Sequence, residues 1–377
     1  MYRRVPGPVT LYYKAVEETL IYPLPNRAWI DVNVNALRRN AMALMQRTGL
    51  PLIPMIKADA YGVGTEGVVR ALEPLDPVAY GVASVEEGEF LRRLKITRPV
   101  IVFTPILEAD YLRAQGADLT PSLGDAASIR AWGPSGKPYQ LAIDTGMNRA
   151  GLPWRDVADV RDQIRQWPPA GAFTHFHSAE LENGSAEAQV ERFFDAIGAI
   201  GVDIPFLHAD NSAAAARGVD GHGRWGAVRP GLFLYGVGAT TGIQPESVVS
   251  LRARVVDLRW VEAGDTVSYD ATYTARRRER IATATIGYGD GYPRALSDRA
   301  TAMVNGVRVP QRGLVTMDMT MFDVTEVQCE IGDVVTLFGE TGGPELTVQG
   351  VARSAGMSPY ELLTGLAPRL QRRFNEV

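Results

Sequence analysis

The sequence predicts an α/β protein, a (β/α)8 barrel followed by a β-rich C-terminal domain. Two observations carry this. Between residues 27 and 245 a short β-rich run, a turn and a longer amphipathic or alanine-rich stretch recur eight times; after about residue 246 short alternating strands are parted by Gly-Asp turns. The first pattern is that of parallel βαβ units. Eight such units in roughly 200 residues fit a closed barrel better than an open sheet.

The barrel strands are expected at 52–57, 80–83, 100–104, 117–120, 139–144, 172–177, 204–208 and 227–230, the fourth being the weakest. Ahead of them Asn35 is expected to cap a helix over 35–44 that sets Leu37, Ala41 and Leu44 on one side. In the second domain, turns are expected at Gly264-Asp265 and Gly332-Asp333, and Ser358 and Pro359 read as the N-cap and first residue of a helix. Residues 1–26, with Pro6, Pro8, Pro23 and Pro25, form an extension of unknown role; 27–245 is the barrel and 246–377 the β-domain.

Composition narrows the function. The chain has 377 residues, 46% hydrophobic and 22% charged, enough for two folded domains. Its 39 Lys and Arg stand against 43 Asp and Glu, a net charge of −4, without the basic excess that a nucleic-acid partner demands. The lone cysteine, Cys329, makes no intrachain disulfide and points to a reducing compartment. Arg3-Arg4 resembles the opening of an export signal, but charge interrupts the apolar residues that follow. No uncharged apolar run approaches the length of about 18 residues that reads as a membrane span. The cytoplasm is the expected compartment.

Barrel chemistry sits at the C-terminal ends of the strands and in the loops after them, and unusual polar residues fall there. Lys57 closes the first run; a lysine at that place is partly desolvated, which lowers its pKa and frees the amine as nucleophile or base. The plain alternative is a lysine that snorkels to the rim. Arg149, in Asp144-Thr145-Gly146-Met147-Asn148-Arg149, offers a guanidinium to a carboxylate or phosphate. His175 and His177 share a face if the strand runs through both. With His208 and Asp210 they form a set able to bind a divalent ion, which keeps a metal-dependent hydrolase open beside amine chemistry. Ser212, in His208-Ala209-Asp210-Asn211-Ser212, and the Gly231 and Leu232 amides follow strands seven and eight, where barrels often bind phosphate.

Taken together, these motifs resemble the alanine racemase family, pyridoxal-phosphate (PLP) enzymes with an N-terminal barrel and a C-terminal β-domain. The resemblance runs over 27–377. It includes Lys57-Ala58-Asp59-Ala60-Tyr61-Gly62, the Asp144 and His208 motifs, Val267-Ser268-Tyr269, Ile286-Gly287-Tyr288-Gly289-Asp290-Gly291-Tyr292 and Met317-Asp318. It implies that Lys57 carries the cofactor as a Schiff base and serves as base on one face of the substrate carbon. Tyr269 acts from the other face, in the second subunit of a homodimer with shared active sites. Arg149 and His175 are the cations expected to ease its ionisation. Arg229 would face the pyridine nitrogen and His175 stack on the ring. Tyr61, Ser212, Gly231, Leu232 and Tyr360 would contact the phosphate, with Asn211 beside them. Arg149 and the Met317 amide would lie near the substrate carboxylate, and Tyr288 would narrow the entrance. The expected substrate is a small amino acid, alanine first, with serine or other small amino acids as the alternative; the product would be D-alanine for peptidoglycan. A non-catalytic PLP carrier would need Lys57 but not Tyr269. One departure stands out: Ala142 occupies the place where many members carry a carbamylated lysine, so a small anion or another carboxylate is expected beside Arg149.

Overall fold

The computed structural model describes residues 27–239, 241–339 and 342–376, so the N-terminal extension lies outside it. The chain starts in a strand, Ala28–Asn33, and turns directly into the helix Val34–Thr48. Asn33 caps that helix, its side-chain oxygen accepting from Ala36 N at 2.9 Å. Asn35, the expected cap, is therefore already in the first turn. The helix begins two residues early because Asn33, in extended backbone, supplies the capping acceptor instead. Leu37, Ala41 and Leu44 are buried as a stripe.

Six parallel strands follow in order, Tyr80–Val82, Val100–Val102, Thr120–Leu123, Gln140–Asp144, Gly171–Phe173 and Leu207–His208. Two extended segments close the ring. Leu52 bridges Val228 and Met55 bridges Gly81, both in parallel. Ile53 N donates to Val228 O at 2.8 Å, Met55 N to Pro230 O at 2.9 Å, and Gly226 N to Leu207 O at 2.7 Å. Pro51, Pro54 and Pro230 have no N–H to give, which leaves the first and eighth segments as bridges rather than full ladders.

Several strand assignments shift; the seventh, expected over 204–208, is only Leu207–His208. The fourth strand is Thr120–Leu123, not 117–120: Ala117 and Asp118 close the preceding helix, with Asp118 left-handed at φ 51°. Pro121 sits inside the real strand and hides it from a pattern search. The sixth strand ends at Phe173, so His175 and His177 lie beyond it and the two-residue alternation does not apply to them.

The C-terminal strands form a second, mostly antiparallel sheet threaded by the long strand Val249–Val261. Ala28–Asn33 belongs to this sheet as well. It pairs antiparallel with Val249–Val261 and parallel with Gln371–Asn375. Gly264 and Gly332 turn with φ 96° and 97° at the expected Gly-Asp corners. The helix Pro359–Thr364 is capped by Ser358, and Glu361 returns the bond to Ser358 N at 2.7 Å. That helix crosses the barrel rim at Gly62, where a β-carbon would lie 2.1 Å from Leu363 O. No helix among the described residues is long and apolar enough to cross a membrane.

Candidate active site

At the C-terminal end of the barrel lies a cavity of about 350 Å³ lined by Lys57, Tyr61, Arg149, His175, Asn211, Ser212, Arg229, Gly231, Leu232 and Tyr360. All the residues expected to hold the cofactor therefore converge within one chain. A second cavity of about 430 Å³ adjoins it, sharing Lys57, Arg149 and His175 and reaching Ala142 and Asp144.

Lys57 does not end a strand. It opens a tight turn, Lys57–Tyr61, in which Ala58, Asp59, Ala60 and Tyr61 all take φ between 51° and 59°. Four successive left-handed residues with β-carbons are costly, and such backbone persists only where its surroundings enforce it. Here Glu87 does so. Its carboxylate accepts from Ala58 N at 2.6 Å and Ala83 N at 2.7 Å, while Asp59 accepts from Thr65 N at 2.8 Å. The Lys57 amine makes no hydrogen bond among the described residues. Burial holds its pKa below the usual lysine value, Arg149 pushes it the same way, and Glu87 opposes them.

Arg229 is buried among neutral acceptors. It donates to Thr174 O at 2.7 Å, Ala209 O at 2.8 Å and His208 Nδ1 at 2.7 Å, and lies 5.4 and 5.3 Å from the Phe103 and Phe173 ring centres. A guanidinium only donates, so His208 Nδ1 accepts and its Nε2–H faces Gln140 Oε1 at 3.2 Å. Burial lowers the Arg229 pKa to about 9 against the pull of Asp210, which leaves it charged at neutral pH. His208 stays neutral, since burial and Arg229 hold its pKa well below the ordinary histidine value.

The metal alternative fails on this geometry. Both His208 nitrogens are engaged, and His177 turns away to Ser178 Oγ at 2.7 Å. Among the described residues no group of three His, Cys, Asp or Glu side chains is placed to hold a metal. The expectation that His175 acts as a cation also fails. Burial first, then Arg229, Arg149 and Lys57, lower its pKa to about 3, so at neutral pH only Arg149 remains charged for that role. Nor does a carboxylate replace the missing lysine: Arg149 has no hydrogen-bond or ion-pair partner among the described residues.

The far end of the cavity offers neutral donors. Ser212 Oγ accepts from Gly231 N at 2.9 Å and Phe233 N at 3.2 Å. Burial, with Tyr360 adding to it, raises the Tyr61 pKa; burial, with Glu180 adding to it, raises that of Tyr360. Both hydroxyls therefore keep their protons. A β-carbon on Gly231 would lie 2.3 Å from Tyr61 Oη, so glycine is what lets the hydroxyl approach. Asn211 lines the cavity while its side chain caps the helix Ser212–Arg217.

Tyr269, Tyr288 and Met317 do not join this cavity within the chain. They stand on the C-terminal domain, 71%, 45% and 54% exposed. Tyr269 lines a separate groove of about 560 Å³ with Ser268, Thr316, Met319 and Val256. Tyr288 N bonds Thr316 O and Gly289 N bonds Met317 O, both at 2.9 Å, which holds those two residues side by side. Sequence reasoning missed Phe103, Phe173 and Glu87. The last had a signal: Ser84-Val85-Glu86-Glu87 has capping-box spacing, and Ser84 does cap the helix Val85–Arg93.

Residues 32–239 match the family model for the alanine racemase N-terminal domain and residues 248–374 that for its C-terminal domain. The chain belongs to the alanine racemase family. It is 36% identical over 370 residues to alanine racemase of Citrifermentans bemidjiense, covering 91% of this chain and 97% of that relative. It is 36% identical over 360 residues to the Deinococcus radiodurans enzyme, covering 92% and 99%. Among solved structures, alanine racemase of Bartonella henselae with covalently bound pyridoxal phosphate superposes with a TM-score of 0.85 at 25% identity, over 93% of this chain and all of that one. The E. faecalis alanine racemase does so with a TM-score of 0.85 at 26% identity, over 94% and 99%.

Proposed function

We propose that this protein interconverts L- and D-alanine with pyridoxal phosphate as cofactor, in the cytoplasm, supplying D-alanine for peptidoglycan. The observation that carries the reading is the Lys57 amine, desolvated and without a hydrogen bond among the described residues, facing one cavity with Arg229, His175 and Tyr61. The residues suit the cofactor. Lys57 would hold it covalently, His175 its ring and Arg229 the pyridine nitrogen; Tyr61, Ser212, Gly231, Leu232 and Tyr360, with Asn211 beside them, would hold the phosphate. Bound there, the cofactor supplies a sink for the electron pair left when the α-proton departs. Arg229 donates and does not accept, so it leaves that nitrogen unprotonated and restrains the sink, favouring return of a proton to the α-carbon.

Racemisation needs one proton removed from one face and another added to the opposite face. Once the substrate amine has displaced it from the cofactor, Lys57 Nζ would take or give the proton on one side. The phenol oxygen of Tyr269 of the partner subunit does so on the other, beside Arg149, which with the Met317 amide of the partner subunit would orient the substrate carboxylate. A homodimer is favoured by the exposure of Tyr269, Val256 and Met319, which line one groove rather than standing as isolated surface residues.

The test is direct. Protein loaded with pyridoxal phosphate and reduced with borohydride should carry a phosphopyridoxyl group on Lys57 by peptide mass spectrometry, and Lys57→Ala should carry none. The unreduced enzyme should convert either alanine enantiomer to the racemate. An adduct on another lysine, or no racemisation by the loaded protein, refutes the reading.

A further inference from the structure

The loop bearing Tyr269 joins the strands Thr266–Val267 and Tyr273–Thr274, and three of its residues with β-carbons are left-handed: Ser268 at φ 71°, Asp270 at 59° and Ala271 at 49°. Such backbone holds only where neighbours enforce it. The neighbours are two other loops. Ser268 Oγ donates to Leu314 O at 2.8 Å and Thr272 Oγ1 to Asp298 Oδ2 at 3.0 Å. The other carboxylate oxygen, Asp298 Oδ1, accepts from Gly313 N at 2.6 Å. Asp298 N in turn bonds the buried Gln311 side chain. The loops touch: a β-carbon on Gly313 would lie 2.5 Å from Val267 O and 2.7 Å from the Ser268 Cβ.

One carboxylate thus bridges two segments. One arm ends three residues from Tyr269 and the other four residues before Met317. Asp298 has no ion pair among the described residues, and it sits at φ 56°, itself left-handed. The Met317 side is held further by Arg369, which spans Asp290 at 2.7 Å and Asp318 at 2.8 Å.

We propose that Asp298 is a positioning residue for racemisation: its carboxylate fixes the separation of the Tyr269 and Met317 loops, so that both reach the partner's substrate in register. This rests on the proposed roles of Tyr269 and Met317. Asparagine preserves the device, because its amide oxygen accepts from Gly313 N–H, its NH2 donates to Thr272 Oγ1, and it tolerates left-handed backbone. Alanine removes both arms. Glycine removes both while relieving the backbone, and so serves if the alanine variant does not fold.

The experiment compares Asp298→Asn, Asp298→Gly and Tyr269→Phe with the wild-type holoenzyme, reading cofactor absorbance, dimer content, kcat/KM and α-deuterium isotope effects from each alanine enantiomer. Asp298→Gly should keep its cofactor and dimer and lose kcat/KM by about 10- to 100-fold, the scale of a small misplacement of a reacting group. Its isotope effect should rise for the enantiomer whose α-hydrogen faces Tyr269. For the other it should fall, because a slowed second proton transfer lets the first equilibrate. Asp298→Asn should stay within about twofold of wild type, as a retained hydrogen-bond pair predicts. Uniform loosening lowers both directions without splitting the isotope effects. If Asp298→Gly shows no split while Tyr269→Phe is crippled, or if Asn is no better than Gly, the proposal is overturned and the Tyr269 reading stands. If Tyr269→Phe keeps full activity, both fall together.

Discussion

Asp210 stands in surroundings that oppose its charge. It is buried beside Arg229, Oδ1 has no hydrogen-bond partner among the described residues, and burial raises its pKa to about 7, with Arg229 opposing and Asp220 adding to the rise. The folded chain therefore keeps a proton that the unfolded chain releases near pH 4. Stability from this group is fully present below about pH 4 and falls as pH rises to 7, by about 1.4 kcal/mol per unit at most. Asp210→Asn, which removes the titration, should raise the melting temperature of the holoenzyme at pH 8 and by less at pH 5. Equal shifts at both pH values would show that Asp210 ionises freely in the folded state. His208 behaves in the opposite sense: its lowered pKa takes stability away as pH drops below about 6.5, because only the unfolded chain then gains a proton.

The left-handed turn Lys57–Tyr61 and its clamp Glu87 form one working element. Each charge-assisted bond from Ala58 N and Ala83 N to the carboxylate contributes on the order of 1–3 kcal/mol. Glu87→Ala should therefore lower the melting temperature and weaken PLP binding about tenfold or more, a loss of one bond's worth of free energy. Glu87→Gln should fall between, since its amide keeps one acceptor. Removing the negative charge also removes the influence that raises the Lys57 pKa. Titration of the free amine in cofactor-free Glu87→Gln should thus show a midpoint below that of wild type. A midpoint at or above it would mean that Glu87 does not act on Lys57 through charge.

For the whole molecule, Lys57 and Tyr269 stand on separate surfaces of one chain, and the proposed reaction needs both. Lys57→Ala and Tyr269→Ala proteins should each be inactive. Mixed in equal amounts under conditions of subunit exchange, about half of the dimers become mixed, each with one intact site, so activity should recover to about a quarter of wild type. Continued inactivity despite demonstrated mixed dimers would place Tyr269 in the site of its own chain or outside any site.

Much of this was legible in the chain alone, because barrel strands with short apolar cores and polar C-terminal ends mark both the fold and the rim. Lys57, Tyr61, His175, Ser212, Arg229 and Gly231 all fall in the turns and loops just after such ends, and the barrel brings them to one cavity. What the pattern hid has local causes. Pro121 masks the fourth strand, and nothing in Ala58-Asp59-Ala60-Tyr61 announces left-handed backbone, since no glycine stands there. Other features arise only when distant segments meet. Ala28–Asn33 joins the second sheet because its parallel partner is Gln371–Asn375, at the opposite end of the chain. The neutrality of His175, the unmet Oδ1 of Asp210 and the hold of Asp298 on two loops depend on burial and on contacts across the fold. Residue order encodes which groups are present and which strand each follows; desolvation and the pairing of remote hydrogen-bond partners exist only in three dimensions.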